Sequence, residues 1–397
     1  MVSPSHSSAA KARRSLLRWY QRRSRALPWR KSRNPYTVWV SEIMLQQTQI
    51  ETVIPYYQRF IREFPTVRRL ARAPLERVLE LWSGLGYYRR ARNLHGAAQE
   101  LVEKHGGKFP REMKKALSLP GVGDYTARAV LSIAYNQPYA VLDGNVARVM
   151  ARLLALRGPL HQPRFRRRIE ENLDLLLSRR SPGNFNQAMM ELGQTICLPR
   201  SPRCPICPLR QGCRGYQSGR PESYPQPRPR RQAEQWHLAT AVLQKDQQVM
   251  LVRGLDEGLL GDLWNFPSAL GRSGSEAHAR LQQKLRSLLG TAPLLKGLEH
   301  KLHHNITHRS IQVHVYKGVL NEGIADVGFR WFHPSSVGQA AVSQLARKIA
   351  RKLGETAGES SQARPGMVPL QAGHSIPPNE GSSHIARNEA IIPGNLS

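Results

Sequence analysis

All four cysteines of this 397-residue chain fall in one short stretch, Cys197, Cys204, Cys207 and Cys213, spaced C-x6-C-x2-C-x5-C. Thiols gathered so closely can converge on one metal centre, and in a chain that shows no secretory segment they have little occasion to form disulfides. Zinc sites usually show two short Cys-x2-4-Cys pairs, and only Cys204 and Cys207 form one. A cubane held by four thiolates tolerates wider gaps. An iron-sulfur cluster therefore leads, with zinc second and unligated buried thiols third.

Composition narrows the partner. Lys and Arg number 59 against 28 Asp and Glu, a formal charge of +31. That excess works against self-association and favours a polyanion, so a monomer bound to nucleic acid or to an anionic membrane surface is expected. No apolar run approaches membrane-spanning length, which favours nucleic acid and a cytoplasmic, nucleoid-associated location. Residues 1–41 hold ten basic side chains and no acid, a composition that can mimic an organelle transit peptide. The stretch runs straight into Leu27-Pro28-Trp29-Arg30, however, which reads as folded protein.

From residue 15 to about residue 214 the apolar spacing is helical. Ile50, Val53, Ile54, Tyr57, Phe60 and Ile61 step by three and four along one face, with Pro55 marking a kink or restart, and Leu75, Val78, Leu79 and Trp82 repeat the pattern. Residues 216–235, rich in proline and arginine without an apolar period, read as a linker. Beyond it the period shortens: residues 239–243 and 249–252 flank a polar turn, 311–316 alternate, and 276–289 form one amphipathic helix. The expected organisation is multidomain: an all-α domain over residues 1–215, the linker, a small α/β domain over 236–353, and a disordered tail over 354–397 that lacks aromatic residues.

Leu119-Pro120-Gly121-Val122-Gly123-Asp124-Tyr125-Thr126-Ala127 sits between two helical runs, residues 111–118 and 124–135. Glycines at i and i+2 permit a tight turn, and their unshielded N–H groups can approach a phosphate oxygen at the start of the second helix. Such a contact is blind to base sequence and positions a duplex. Asp143 opens the next helix in Leu142-Asp143-Gly144-Asn145-Val146-Ala147-Arg148. One helix and one turn separate it from Gly123, so its carboxylate can return beside the phosphate-holding turn and stay ionised at a helix N-terminus; it also serves as an N-cap.

These residues and the cysteine spacing resemble the helix-hairpin-helix DNA glycosylase superfamily, and specifically its MutY branch of adenine DNA glycosylases. The branch-specific match is Trp39-Val40-Ser41-Glu42-Ile43-Met44-Leu45-Gln46-Gln47-Thr48, supported by Gly84-Leu85-Gly86-Tyr87-Tyr88-Arg89 and by Phe185-Asn186-Gln187-Ala188-Met189-Met190-Glu191-Leu192-Gly193. The likeness runs from Trp19 to about His333. It implies a 4Fe-4S cluster on the four cysteines, a first domain that removes adenine mispaired with 8-oxoguanine or guanine in double-stranded DNA, and a Nudix-like second domain that checks for the oxidised base.

The chemistry suits the residues independently of the name. Breaking an N-glycosidic bond to adenine through an oxocarbenium-like sugar needs an acid for the leaving base and an anion for the cation, which parallels the two carboxylates of sugar hydrolysis. Glu42, set among Trp39, Ile43, Met44 and Leu45, is the candidate acid, because an apolar setting raises a carboxyl pKa. Exposure on a helix is the commoner fate of a glutamate, and the resemblance decides against it. Asp143 is the candidate anion. The adenine must leave the stack to reach Glu42. By the resemblance, Gln47 and Tyr87 enter the duplex and hold the gap open, Tyr125 joins Gly121 and Gly123 on the duplex side, and Asn145 helps to place Asp143 or a nucleophilic water. Arg25, Leu27, Trp29 and Gln187 would line the pocket for the extruded base.

A relative that also cuts the strand needs a lysine to form a Schiff base. In the endonuclease III branch that lysine follows the hairpin glycines, where this chain has Tyr125; some MutY relatives carry one after Asp-Gly-Asn-Val, where this chain has Ala147. A monofunctional enzyme is expected. The rival readings are an endonuclease III-like glycosylase and lyase, and a non-catalytic iron-sulfur DNA-binding protein. In the second domain, residues 258–267 resemble the entry strand of a Nudix fold, but between Pro267 and Glu299 the only acid before Glu299 is Glu276, too few to hold Mg²⁺ for pyrophosphate hydrolysis. That domain should recognise rather than react. Its lesion-reading loop, Phe-Ser-His in the family, is here Ile306-Thr307-His308, so Thr307 and His308 are the expected contacts and ring stacking is lost.

Overall fold

The computed structural model describes residues 6–226, 233–254, 263–306, 309–320, 328–338 and 340–360. The helical periodicity resolves into α1 (His6–Arg23), α2 (Pro35–Leu45), α3 (Ile50–Glu63), α4 (Val67–Arg72), α5 (Leu75–Trp82), α6 (Arg89–Lys104), α7 (Met113–Leu117), α8 (Asp124–Ile133), α9 (Gly144–Leu153), α10 (Pro163–Leu176), α11 (Pro182–Thr195) and α12 (Arg214–Gln217). Local chemistry sets the ends. Asn34 caps α2 by accepting from Tyr36 N at 2.9 Å, with Pro35 at the first helical position, where a missing N–H costs nothing. Pro55 does not interrupt α3, which runs through it with Val53, Tyr57 and Phe60 buried.

The helices build two cores. One gathers Trp39, Val40, Phe60, Leu79, Trp82 and Val130 around α2, α3, α5 and α8; the other gathers Leu16, Val146, Met150, Ile169, Phe185 and Leu192 around α1, α9, α10 and α11. α2 is buried on nearly every side, Val38 through Met44, so any polar group on it must answer for its burial. α8 packs against both α2 and α11, and the seam between the two cores is where α2, α8, α9 and α11 converge.

The second domain is a mixed sheet of β1 (Glu234–Lys245), β2 (Gln248–Arg253), β3 (Trp264–Asn265), β4 (Ser268–Gly271), β5 (Lys296–Ile306), β6 (Arg309–Val319) and β7 (Phe329–Phe332), ordered β3-β2-β1-β6-β5, with β4 also pairing β1 and β7 also pairing β2. β1 and β6 are parallel; the other pairs are antiparallel. The polar turn expected between the first two strands is Asp246-Gln247, both at positive φ (46° and 61°), as a tight hairpin requires. β1 alternates strictly: Leu238 and Val242 face α15 (Gln344–Ser360), while Ala239, Ala241 and Leu243 face α13 (Gly274–Leu289); the short α14 (Pro334–Val337) lies between them in sequence. A sheet covered on both faces thus accounts for a strand without an exposed side.

Two expectations about the connecting segments change. Residues up to Gln226 pack on the helical domain instead of forming a free linker: Tyr224 is buried, its carbonyl accepts from Arg152 Nε at 3.0 Å, and Gln226 N donates to Gly158 O at 3.2 Å. The unpatterned composition concealed this because the anchors are backbone groups, which leave no periodic signal. At the other end α15 continues seven residues past Leu353, since a helix nucleated by its packed first turns propagates at little cost. The chain groups into a first unit, Met1–Gly354, and a second, Glu355–Ser397, of which only the end of α15 is among the described residues. No described helix is long and apolar enough to cross a membrane.

Candidate active site

Glu42 leaves α2 into the seam between the two cores and is only 5% exposed. Asp143 caps α9 on the facing side: its Oδ1 accepts from Val146 N at 2.6 Å and its Oδ2 from Asn145 Nδ2 at 2.9 Å. Both carboxyl groups line one cleft of about 700 Å³, together with Leu27, Trp29, Arg30, Gln47, Tyr125, Asn145, Gln187 and Met190. The cleft is thus lined by both apolar and polar side chains, a form suited to a planar heterocycle with a few directional contacts.

The electrostatics single out Glu42. Burial pushes the Glu42 carboxyl up from 4.5 to about 7; the Tyr125 hydrogen bond opposes that rise, the Asp143 charge adds to it, and Arg30 opposes it. At neutral pH Glu42 therefore carries a proton for much of the time. Asp143 sits at the N-terminus of α9, its two oxygens fixed by donors from Val146 N and Asn145 Nδ2.

Tyr125, expected on the duplex side of the hairpin, instead turns inward. Its hydroxyl donates to Glu42 Oε2 at 2.9 Å and reaches Met190 Sδ at 3.5 Å, because the first turn of α8 faces α2. Gly121 adopts φ +72°, and a Cβ there would lie 2.6 Å from Asn93 Cβ, so the turn requires glycine. Gly123 is the N-cap of α8 and has open space where a Cβ would be, leaving the helix N-terminus approachable.

Leu27, Trp29 and Gln187 line the cleft as expected, Trp29 held edge-on against Tyr57 at 5.4 Å between ring centroids. Arg25 does not. Its Nε bonds Glu191 Oε1 at 2.7 Å, and it lines a neighbouring basic cavity with Arg18, Arg22 and Arg203. Arg30 takes the place in the cleft and shares Glu191 through a 2.8 Å contact to Oε2. Burial alone would raise Glu191, but the two guanidinium groups hold it below the usual carboxylate range. Nothing in the local sequence marks Arg30, because its partner lies 161 residues away.

Gln47 and Tyr87 occupy two separate turns, both at positive φ (56° and 51°), where non-glycine residues are uncommon and strained. Both side chains are exposed, Tyr87 by 49%. Arg90 ties the turns together. Its Nη1 donates to the carbonyls of Ile43, Met44 and Gln46, and its Nη2 to Thr48 Oγ1 and Gly86 O, at 2.6 to 3.3 Å. Burial lowers its guanidinium to about 10.

The four cysteines are unpaired and line one small cavity with Arg152 and Arg210. Among the described residues, no three His, Cys, Asp or Glu side chains close in as ligands of a single ion. The donor set fits a larger four-thiolate group: the thiols surround a common space, and Arg152 Nη1 donates to Cys197 Sγ at 3.4 Å. A file of hydrogen bonds links this loop to the cleft, since Arg148 donates to Cys197 O at 2.8 Å and to Asn145 Oδ1 at 2.9 Å. Thr307 and His308 lie outside the described residues.

A buried carboxyl and a capped carboxylate facing one cleft, on helices that include a glycine hairpin, define a class of base-excision protein. Residues 40–174 match the HhH-GPD superfamily of base excision DNA repair proteins, and residues 238–352 match the NUDIX domain. Within that class the chain is 36% identical to the adenine DNA glycosylase of Mus musculus, over 88% of this chain and 80% of the mouse protein. It is 35% identical to that of Homo sapiens (85% and 73%) and 34% identical to that of Buchnera aphidicola subsp. Acyrthosiphon pisum (74% and 83%). The chain belongs to the adenine DNA glycosylase family.

Proposed function

We infer that this protein is a base-excision-repair DNA glycosylase that extrudes adenine from a duplex and cleaves its N-glycosidic bond, acting on adenine mispaired with 8-oxoguanine or guanine. The observation that carries the reading is a pair of carboxyl groups facing one cleft, Glu42 buried on α2 and Asp143 capping α9. Glu42, whose burial lets it keep a proton near neutral pH for part of the time, gives that proton to the adenine ring as the glycosidic electrons move onto the base. Asp143 faces the oxocarbenium-like sugar, fixed by Asn145 and the start of α9. Water then adds to the sugar carbon and gives up a proton that restores the Glu42 carboxyl, and the products are free adenine and an abasic strand.

Leu27, Trp29, Arg30 and Gln187 receive the base, and Gln47 and Tyr87 fill the space it leaves. The residues lining the cleft include no lysine, and Ala147 and Tyr125 stand where a Schiff base would need one, which supports a monofunctional enzyme. Cys197, Cys204, Cys207 and Cys213 would hold a 4Fe-4S cluster, which supplies a structural cross-link for a basic loop and not an open coordination site. The helical domain catalyses, and the sheet domain over residues 236–353 reads the base opposite. The monomer acts on double-stranded DNA.

The test is single-turnover excision on duplexes pairing adenine with 8-oxoguanine, guanine or cytosine. Removal of adenine opposite the first two, with no borohydride-trapped adduct, is expected. Excision of a pyrimidine, or efficient strand cleavage with a trapped adduct, refutes it.

A further inference from the structure

The turn that carries Tyr87 is not held by its own domain alone. Ser83 Oγ donates to the carbonyl of Val342 at 2.9 Å. Tyr88 Oη reaches the same carbonyl at 3.4 Å while accepting from Gly84 N at 3.0 Å. Gln344 Nε2 donates to Gly84 O, the acceptor next in the turn. Gly84 is itself confined: it adopts φ +102°, and a Cβ there would meet Tyr56 Oη at 2.2 Å, a hydroxyl that donates to Ser83 O at 3.1 Å. Residues 83 to 88 therefore form a tight loop in which Ser83 Oγ, Tyr88 Oη and Gly84 O meet residues 342 to 344 of the second domain, while Tyr56, Trp82 and Arg90 of the helical domain hold Ser83 O and Gly86 O.

Those residues continue into the sheet. Trp264 N donates to Ala341 O at 2.9 Å and Ser343 N to Trp264 O at 3.4 Å, while Leu263 and Ala341 bury themselves in the core of the helical domain. α15 begins at Gln344, and its Leu345, Ala346 and Ile349 share one core with Val342 and with Ile311, Val313 and Val315 of β6. β6 starts at Arg309, which pairs with Ile306 at the end of β5. A continuous packed path thus joins the hairpin proposed to read the opposite base to the turn proposed to enter the stack. Packed elements with defined contacts are the physical substrate of such coupling.

We propose that Ser83, Tyr88 and Gln344 are positioning residues through which the second domain sets Tyr87, making duplex opening depend on the base opposite the adenine. The inference rests on the adenine glycosylase reading above. Contacts that merely cement two domains would, when cut, slow all substrates by one factor. Contacts that transmit recognition would, when cut, lower the preference among substrates.

The test uses the full chain and compares the parent with Gln344→Ala, Tyr88→Phe and their combination. Gln344 is exposed, so its loss should leave the thermal midpoint unchanged, whereas Tyr88→Phe removes the acceptor of Gly84 N and should lower it somewhat, so both variants are assayed well below their midpoints. Single-turnover excision of adenine is measured opposite 8-oxoguanine and opposite guanine, with the fluorescence of a 2-aminopurine beside the mispair reporting stack opening. The ratio of the two rates is expected to shrink by about three- to thirty-fold, the range of coupling energies for such paths, with the 2-aminopurine signal for the two mispairs converging in step. Equal slowing on both duplexes, an unchanged ratio, or a parent without preference overturns the proposal. A parent that removes adenine from neither duplex overturns the functional reading itself, which keeps the two failures distinct.

Discussion

Tyr125 Oη donates to Glu42 Oε2 at 2.9 Å, and this one contact couples the hairpin helix to the catalytic candidate on α2. The hydrogen bond favours the ionised carboxyl, so it opposes burial and keeps the Glu42 proton transferable near neutral pH. A buried phenol against a buried carboxyl also holds both side chains in register with the cleft.

The pH dependence of excision follows. Glu42 must be protonated to act, so the single-turnover rate under subsaturating enzyme should fall as pH rises through about 7. Tyr125→Phe removes a contact that lowers the Glu42 pKa, so the descending limb should move to higher pH. An unmoved midpoint in this variant would remove Tyr125 from the account.

Stability carries the same imprint. The folded pKa of Glu42, about 7, lies above its ordinary 4.5, so the folded state keeps a proton that the unfolded chain gives up. The contribution is fully present below pH 4.5 and is lost as pH rises to about 7. Glu42→Gln cannot ionise. It should melt higher than the parent at pH 8, by up to roughly 3 kcal/mol of stability, and not at pH 4. The same variant should bind duplex DNA while losing excision by about a hundredfold or more. Unaltered excision would return Glu42 to an ordinary core position.

Much of this was legible in the sequence because it is local. The i+3 and i+4 spacing marks α3 and α5, alternation marks β6, the clustered cysteines mark the loop they line, and Asp143 announces itself as a cap. What escaped depends on partners far along the chain. In so basic a sequence no local signal separates the half-buried guanidinium groups of Arg30, Arg90 and Arg148, or buried Arg152, from exposed ones. Their acceptors are carbonyls and carboxylates on other helices and loops, fixed only by tertiary packing. Tyr125 was misplaced for the same reason: its position in the hairpin motif is local, but the direction of its ring is set by α2.

Arg90 is the sharpest of these cases. Five acceptors converge on one fork, and a lysine, with a single donor atom, cannot serve both turns. Arg90→Lys should weaken binding to mispaired duplexes and the 2-aminopurine response, while Glu42 keeps its pH profile. A variant with full stack opening would show that the two turns hold their shape without it.

Arg148 links Asn145 to the backbone of Cys197, so it fixes the residue that orients Asp143. Arg148→Met leaves Asn145 Oδ1 unsatisfied and lets its amide rotate. The expected loss is in the rate of the chemical step, about ten- to a hundredfold, with duplex affinity and visible cluster absorbance retained. Loss of affinity with an intact rate would place Arg148 on the DNA side instead.

The cysteine loop gives the last prediction. Arg152 pins its start through Leu198 O and Pro199 O and the segment beyond it through Tyr224 O, all independent of the thiols. Between those anchors, residues 200 to 213 carry exposed Arg200, Arg203 and Arg210 interleaved with Cys204, Cys207 and Cys213, so a group bound by the thiols would brace the stretch alongside Arg203 N on Ile196 O and buried Leu209. Cys204→Ala should therefore loosen this basic stretch first. Duplex affinity should fall and its salt dependence flatten as phosphate contacts are lost, while excision measured at saturating enzyme changes less, because Glu42 and Asp143 are supported by α2 and α9. A variant lacking the cluster that binds and excises as the parent does would contradict this role; one that binds normally and fails to excise would move the loop into the catalytic machinery.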